Sequence, residues 1–306
     1  MSKPGNKPLV AIACGGTGGH LYPGMAIGRA MVRHGCDVTL LVSPKEVDQS
    51  AVSCVQDMDV ATLPAVALQG RNYLKFLSGF RKSIRESRRL FRARRPAAVL
   101  SMGGFTAAAP MMAGRLLRAK LFLHESNAIP GRANRLMAPW VQRAFLGFRQ
   151  ASEHLKTRRI TISGTPVREQ FRHVVTETCR RVLGLDRHRP TLLVMGGSQG
   201  ARAVNEMMMM SLPMLSQAMP ELQYLWLTGG HDAQRVRDFC EEGNYRAVVR
   251  KFLPEMELAY GSATVALTRA GSASLAEMAA MKLPAILVPL PTAADNHQFH
   301  NAKIFE

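Results

Sequence analysis

The amino-acid sequence predicts an α/β protein of two domains, each a parallel sheet covered by helices on both faces. Three observations lead there. Apolar runs alternate with amphipathic stretches along the whole chain, the pattern of repeated strand–helix units. A glycine-rich turn follows the first apolar run of each half, in IACGGTGGH (12–20) and in VMGGSQGAR (194–202). The chain has 306 residues, too many for one ordinary core and suited to two domains of about 150 residues each.

The elements follow in order. LVAIAC (9–14), VTLLVS (38–43), AAVLSM (97–102) and KLFLH (120–124) read as buried strands, with helical spacing between them. DMD (57–59) reads as a turn entering a strand. GTPVRE (164–169) supplies a turn-forming Gly and Pro at the junction, so the expected domains are 1–163 and 164–306. The second half repeats the rhythm in TLLVMG (191–196), QYLWLTG (223–229), AVVRKFL (247–253), ATVALT (263–268) and PAILVPL (284–290). MMMM (207–210) is expected to pack a helix against its sheet, flexible thioethers filling gaps. The segment 268–302 reads as strand, Gly-Ser turn, helix, strand and then a polar loop.

Composition narrows the class. Apolar residues make up 47%, enough for sizeable cores and too many for a disordered chain. No apolar run approaches the roughly 20 residues that span a bilayer. The start MSKPGNKPLV lacks the pattern of a signal peptide. Cys14, Cys36, Cys54, Cys179 and Cys240 are scattered and form no CxxC pair. Neither zinc nor a disulfide framework is expected, and a reducing cytoplasm fits. Residues 1–165 hold 25 Lys and Arg against 8 Asp and Glu, while residues 166–306 hold 15 against 14. That asymmetry points to an anionic partner for the first half, a nucleic acid or an acidic membrane surface.

Several segments carry chemistry, each with a plain alternative. A strand–glycine turn–helix unit offers backbone N–H groups and a helix dipole to a phosphate, though many such turns only pack tightly. SMGGFTAAAP (101–110) is a third such turn. HESNAIPGRANR (124–135) gathers polar groups past a strand end, where His124 and Glu125 read equally as a satisfied pair. The Asn127 carboxamide can both donate to and accept from a sugar. Glu277, in the helix after Gly271 and Ser272, could grip the vicinal hydroxyls of a ribose or be an ordinary solvated residue. Asp295, Asn296, His297, Gln298, His300 and Asn301 offer partners for sugar hydroxyls or form a surface loop. The DMD triplet tempts a metal reading, but such triplets are common by chance. Residues 71–95 carry ten Lys and Arg, one acid (Glu86) and interleaved Leu74, Phe76, Leu77, Phe80, Ile84, Leu90 and Phe91. This is a solvated helix with one buried face, or a basic amphipathic surface for anionic lipid, which nucleic acid would also accept.

Taken together, GGTGGHLYPGMAI, MGGF, HESNAIPGRANR, GTPVR, GGSQGA, RAGSASLAEMAAMKLPAILVPLP and HQFHNA resemble, in order and context, the MurG family. These are bacterial UDP-N-acetylglucosamine–N-acetylmuramyl-(pentapeptide) pyrophosphoryl-undecaprenol N-acetylglucosamine transferases. The resemblance covers essentially the whole chain. It implies a GT-B glycosyltransferase, two Rossmann-like domains with the active site in the cleft between them. The chain departs from the family at Ser126 (usually Gln), Phe105 (usually Tyr) and Thr165 (usually Asn). The family pattern also continues past NAKIFE for several helices, so the resemblance implies a second domain cut short at its end.

The resemblance further implies transfer of N-acetylglucosamine from UDP to the 4-hydroxyl of the muramyl sugar of lipid I, giving lipid II with inversion, in peptidoglycan synthesis. His20 would be the general base, an imidazole suiting proton removal near neutral pH. Gly15 and Gly16, with Gly103 and Gly104, would meet the acceptor and its diphosphate. Thr17, Gly18 and Gly19 would touch the donor sugar. Ser198, Gln199 and Gly200 at a helix N-terminus, helped by Arg168, would stabilise the leaving UDP. Phe252 and the backbone of Leu253 would read the uracil, and Glu277 the ribose. Gln298 and Asn301, with Asn127 from across the cleft, would hold the transferred sugar. Leu74, Phe76, Leu77, Phe80, Arg88, Arg89, Arg92 and Arg94 would meet an anionic membrane surface, making the enzyme peripheral on the cytoplasmic face of the inner membrane. No metal, cofactor or nucleic acid is implied. The competing readings are another GT-B sugar-nucleotide enzyme, such as a glycolipid glycosyltransferase or a UDP-N-acetylglucosamine 2-epimerase, and a basic nucleic-acid-binding module. An epimerase needs no lipid acceptor, and a nucleic-acid module leaves Glu277 and the polar run without a role.

Overall fold

The computed structural model describes residues 7–53, 55–64, 73–172, 174–196 and 201–306, without the side chains of 73–75. The chain divides into two compact units, 1–168 and 169–306. The division falls a few residues past the glycine of GTPVR.

In the first unit the elements run β1 (Leu9–Ala13), α1 (Gly18–Arg33), β2 (Asp37–Val42), α2 (Glu46–Val52), β3 (Asp59–Thr62), α3 (Tyr73–Ala93) and β4 (Ala98–Ser101). They continue through α4 (Ala108–Leu116), β5 (Lys120–Glu125), α5 (Arg132–Met137), β6 (Arg143–Leu146) and β7 (Ile160–Ile162). The seven strands form one sheet in the order β3-β2-β1-β4-β5-β6-β7, and every pairing is parallel. Alternation along β1 serves both faces. Ala11 and Ala13 join Val99, Leu121, Met111 and Phe91 in one core. Val10 and Ile12 join Leu40, Leu100, Leu21 and Met25 in the other. Two buried faces explain why the strand reads as a continuous apolar run. β6 and β7 are too short and too charged at their ends to stand out in the sequence.

The second unit comprises α6 (Thr176–Leu183), β8 (Thr191–Met195), α7 (Arg202–Ala218), β9 (Gln223–Leu227), α8 (Ala233–Glu242) and β10 (Ala247–Arg250). Then come α9 (Met256–Ser262), β11 (Val265–Thr268), α10 (Ser272–Ala280), β12 (Ala285–Leu287) and α11 (His297–Phe305). Its five parallel strands take the order β10-β9-β8-β11-β12. In each sheet the strand order reverses beside its first strand, at β1–β4 and at β8–β11. Ligands of open α/β sheets bind at such switch points, beyond the carboxyl ends of the strands.

Two expectations are corrected. Only Met208 of the MMMM run is fully buried; Met207 is exposed and Met210 is 83% exposed. Successive helical residues point about 100° apart, so four in a row are spread over about 300° and cannot share one face. The polar run 295–301 is not a loop: His297 to Phe305 form α11, entered through Asp295 and Asn296 at φ 51° and 52°. Asn and Asp tolerate this left-handed conformation, which lets the chain turn sharply into a helix.

Candidate active site

β1 and β4 are neighbours, so their two following glycine turns lie side by side. His20 is the third residue of α1, and its ring rests on the second turn. A Cβ added to Gly103 would lie 3.0 Å from His20 Cε1, and one added to Gly104 would lie 3.1 Å from Cδ2. Both glycines have positive φ, 100° and 77°, which side chains rarely adopt. The turn is therefore glycine both for its backbone and for the imidazole against it.

That turn is anchored from below. The Gly103 amide donates to Ser101 Oγ (3.1 Å), and Ser101 Oγ donates to Asn134 Oδ1 (3.0 Å). Asn134, fully buried, donates from Nδ2 to the His124 carbonyl and to Glu125 Oε2, each at 3.0 Å. Buried Glu125 also accepts from the amide of Gly131 (3.0 Å) and from Asn127 through its amide (2.9 Å) and Nδ2 (3.1 Å). The strand-end pair is thus satisfied, and it fixes Asn127 just past the end of β5 and, through Asn134, the turn under His20. His124 Nε2 donates to the Gly164 carbonyl (3.0 Å), leaving Nδ1 to accept from Ser126 Oγ (3.3 Å). Burial pushes the His124 pKa below the ordinary histidine value.

The first turn is built differently from expectation. Gly15 has no room for a Cβ, which would lie 2.4 Å from Ser43 N. Its amide donates to the Leu41 carbonyl at 3.3 Å. The Gly16 amide donates to Asp48 Oδ2 at 2.6 Å. The same oxygen accepts from the Ser43 amide (2.9 Å) and hydroxyl (2.5 Å). Gly15 and Gly16 consequently do not offer their N–H groups outward. Thr17 is the N-cap of α1 and makes no side-chain capping bond. Amides at the start of a helix have no acceptor within it, so Gly18 and Gly19 are the donors that this turn presents.

Arg168 belongs to the first unit, its guanidinium 4.5 Å from the Tyr22 ring centroid on α1. In the second unit Glu277 is buried, not solvated, and accepts a hydrogen bond from Tyr260 OH at 3.3 Å. Phe252 is exposed and Leu253 buried in the loop after β10. Asn301 is fully buried and donates to the Ala270 carbonyl (3.2 Å), beside the turn that opens α10. Gln298 accepts from the Leu290 amide at 2.9 Å. Ser198, Gln199 and Gly200 lie outside the described residues. Asp57 of the DMD triplet pairs with Arg29 at 3.8 Å.

On α3, Ser83, Ser87 and Phe91 are buried and Leu77 and Leu90 are exposed. Phe76 and Phe80 stack with centroids 5.9 Å apart, and the Leu74 side chain lies outside the described atoms. Arg89 and Arg92 are exposed; Arg88 is half-buried, and Arg94, past the helix end, pairs with Asp37. Among the described residues no helix is long and apolar enough to cross a membrane. Sequence reasoning missed Asp48, Ser101 and Asn134. One signal for Asp48 was available: it is among only eight acids in residues 1–165.

Comparison with known proteins converges on one assignment. The glycosyltransferase family 28 N-terminal domain matches residues 10–146, and the family's C-terminal domain matches residues 191–306. Two curated relatives bear the name UDP-N-acetylglucosamine–N-acetylmuramyl-(pentapeptide) pyrophosphoryl-undecaprenol N-acetylglucosamine transferase. The one from Acidithiobacillus ferrooxidans is 37% identical over 97% of this chain and 81% of its own length. The one from Halothermothrix orenii is 35% identical over 95% and 81%. In fold, the chain is similar to Acinetobacter baumannii MurG, with a TM-score of 0.70 and 23% identity over 97% of this chain and 83% of the other. It is also similar to Staphylococcus aureus MnaA solved with UDP, at 0.67 and 13% over 98% and 88%.

Proposed function

The chain belongs to glycosyltransferase family 28, and from that premise we propose that it makes lipid II, moving N-acetylglucosamine from UDP-N-acetylglucosamine to the muramyl 4-hydroxyl of lipid I with inversion. The chain is a glycosyltransferase, and its relatives are named for this transfer. The observation that carries the reading is the seating of His20 on Gly103 and Gly104 at the sheet's switch point. An alcohol attacks well only as its proton leaves, and an imidazole held against bare backbone can take that proton without a side chain blocking the acceptor.

In this reading Glu277 holds the ribose hydroxyls, oriented by Tyr260, and the Leu253 backbone meets the uracil. The Gln298 oxygen is occupied by Leu290, so contact with the donor sugar falls to its Nε2. Asn127 meets the transferred sugar, whereas Asn301, fully buried on the Ala270 carbonyl, positions the turn that opens α10. Ser198, Gln199 and Gly200, with Arg168, stabilise charge on the departing UDP. The exposed cations and leucines of α3 bring the enzyme to anionic lipid on the cytoplasmic face of the inner membrane.

The test is transfer from radiolabelled UDP-N-acetylglucosamine to a lipid I analogue. Formation of the labelled disaccharide product is expected. Binding of the donor with no transfer, or release of an epimerised sugar, refutes the reading.

A further inference from the structure

The amides of Gly15 and Gly16 are spent on Leu41 and Asp48, and Asp48 places a fully buried acidic side chain directly beneath the turn. An anion arriving there gains nothing from those two amides and meets the field of that carboxylate. Positive charge is supplied instead by Lys45. Its Nζ donates to the Gly16 carbonyl at 3.0 Å and lies 5.4 Å from the centroid of the Phe105 ring. Phe105 follows Gly104, so the amine stands over both glycine turns. Among the described residues no carboxylate forms an ion pair with Lys45. The Gly16 carbonyl takes one N–H of the ammonium and the others remain to donate. The carbonyl and the ring hold the cation in place before a ligand arrives, which lowers the entropy lost on binding.

We propose that Lys45 is a phosphoryl-binding residue of the acceptor site, its ammonium contacting the diphosphate of the lipid-linked acceptor where Gly15 and Gly16 cannot donate. A lysine suits this as a compact point charge. The inference rests on the acceptor reading above. Its chemistry could equally serve the diphosphate of the nucleotide, and the test separates the two.

Full-length wild type, Lys45→Gln and Lys45→Arg are compared by calorimetry with inorganic pyrophosphate and with UDP, and by transfer kinetics. Lys45→Gln is expected to weaken pyrophosphate binding and raise the acceptor KM about tenfold, roughly 1.4 kcal/mol. UDP affinity should hold, and Lys45→Arg should retain most pyrophosphate binding. Weakened UDP affinity with unchanged acceptor KM overturns the acceptor assignment in favour of the nucleotide. A lowered melting temperature with unchanged pyrophosphate binding overturns it in favour of a structural staple. Wild type that binds pyrophosphate through Lys45 but transfers no sugar refutes the acceptor reading and not the cation site.

Discussion

The backbone amide of Gly16 donates to Asp48 Oδ2 at 2.6 Å, tying the turn after β1 to the first turn of α2. The same oxygen takes both polar groups of Ser43, so three donors converge on one buried atom. Asp48→Ala should strand all three. Leaving buried donors unsatisfied costs about 1–3 kcal/mol. Chemical denaturation should show a loss of this size and transfer should fall with it. Asp48→Glu, which is one methylene longer, should also be destabilised. A variant as stable and active as wild type would show that the turn holds without Asp48.

His20→Ala should lower turnover about 10²–10⁴-fold, the usual worth of a general base, with UDP affinity unchanged. Gly103→Ala probes the same ring from its other side. The new methyl would sit 3.0 Å from His20 Cε1 at a φ of 100°, so it must displace the imidazole or strain the turn. Turnover is expected to drop at least tenfold in a protein that still binds UDP. Normal turnover in Gly103→Ala would mean that the seat of the ring does not matter.

Glu277→Ala should weaken UDP binding about tenfold or more, since charge-assisted hydrogen bonds to hydroxyls are worth about 1.5–3 kcal/mol each. Tyr260→Phe removes the hydroxyl that bonds Glu277 Oε2 and should give a smaller loss. Isothermal titration with UDP measures both. Equal affinity in all three proteins would make Glu277 a buried structural acid.

His124 gives a pH dependence. Its pKa is depressed in the folded state by burial, so the unfolded chain binds the proton more tightly. Stability is therefore complete above the unfolded value of about 6.5 and is lost as pH falls from there toward the folded pKa. Urea midpoints measured from about pH 7.5 to about pH 5 should decline more steeply for wild type than for His124→Gln. Parallel curves would show that His124 is not the group responsible.

Exposed Arg81, Arg85, Arg89 and Arg92 stand on α3 with Leu77. Each cation near an anionic surface contributes about 1 kcal/mol, fading within a Debye length of about 8 Å at physiological salt. Binding to anionic vesicles should be salt-sensitive and should fall strongly when these four arginines become glutamine, while UDP affinity stays. Equal binding to neutral vesicles would reduce α3 to a solvated helix.

The sequence by itself determined most of the elements and the family, though β6, β7 and α11 were not legible in it. Side-chain direction is set locally by the backbone period, so the apolar runs at 9–14, 38–43 and 191–196 announced strands buried on both faces, and the motifs named the chemistry in order. It also marked His20, Glu277 and Asn127 by residue type. Tertiary structure alone decided what those residues touch. Gly103 reaches His20 because β4 pairs with β1, and Asp48 reaches Gly16 because β2 pairs on the other side. Neither pairing leaves a trace in local periodicity, since it is selected by the packing of the whole sheet. The same holds for Asn134, which looks like any polar helix residue until β5 carries it beneath the second turn. Lys45 becomes a cation over two glycine turns only once Gly16 and Phe105 are brought beside it.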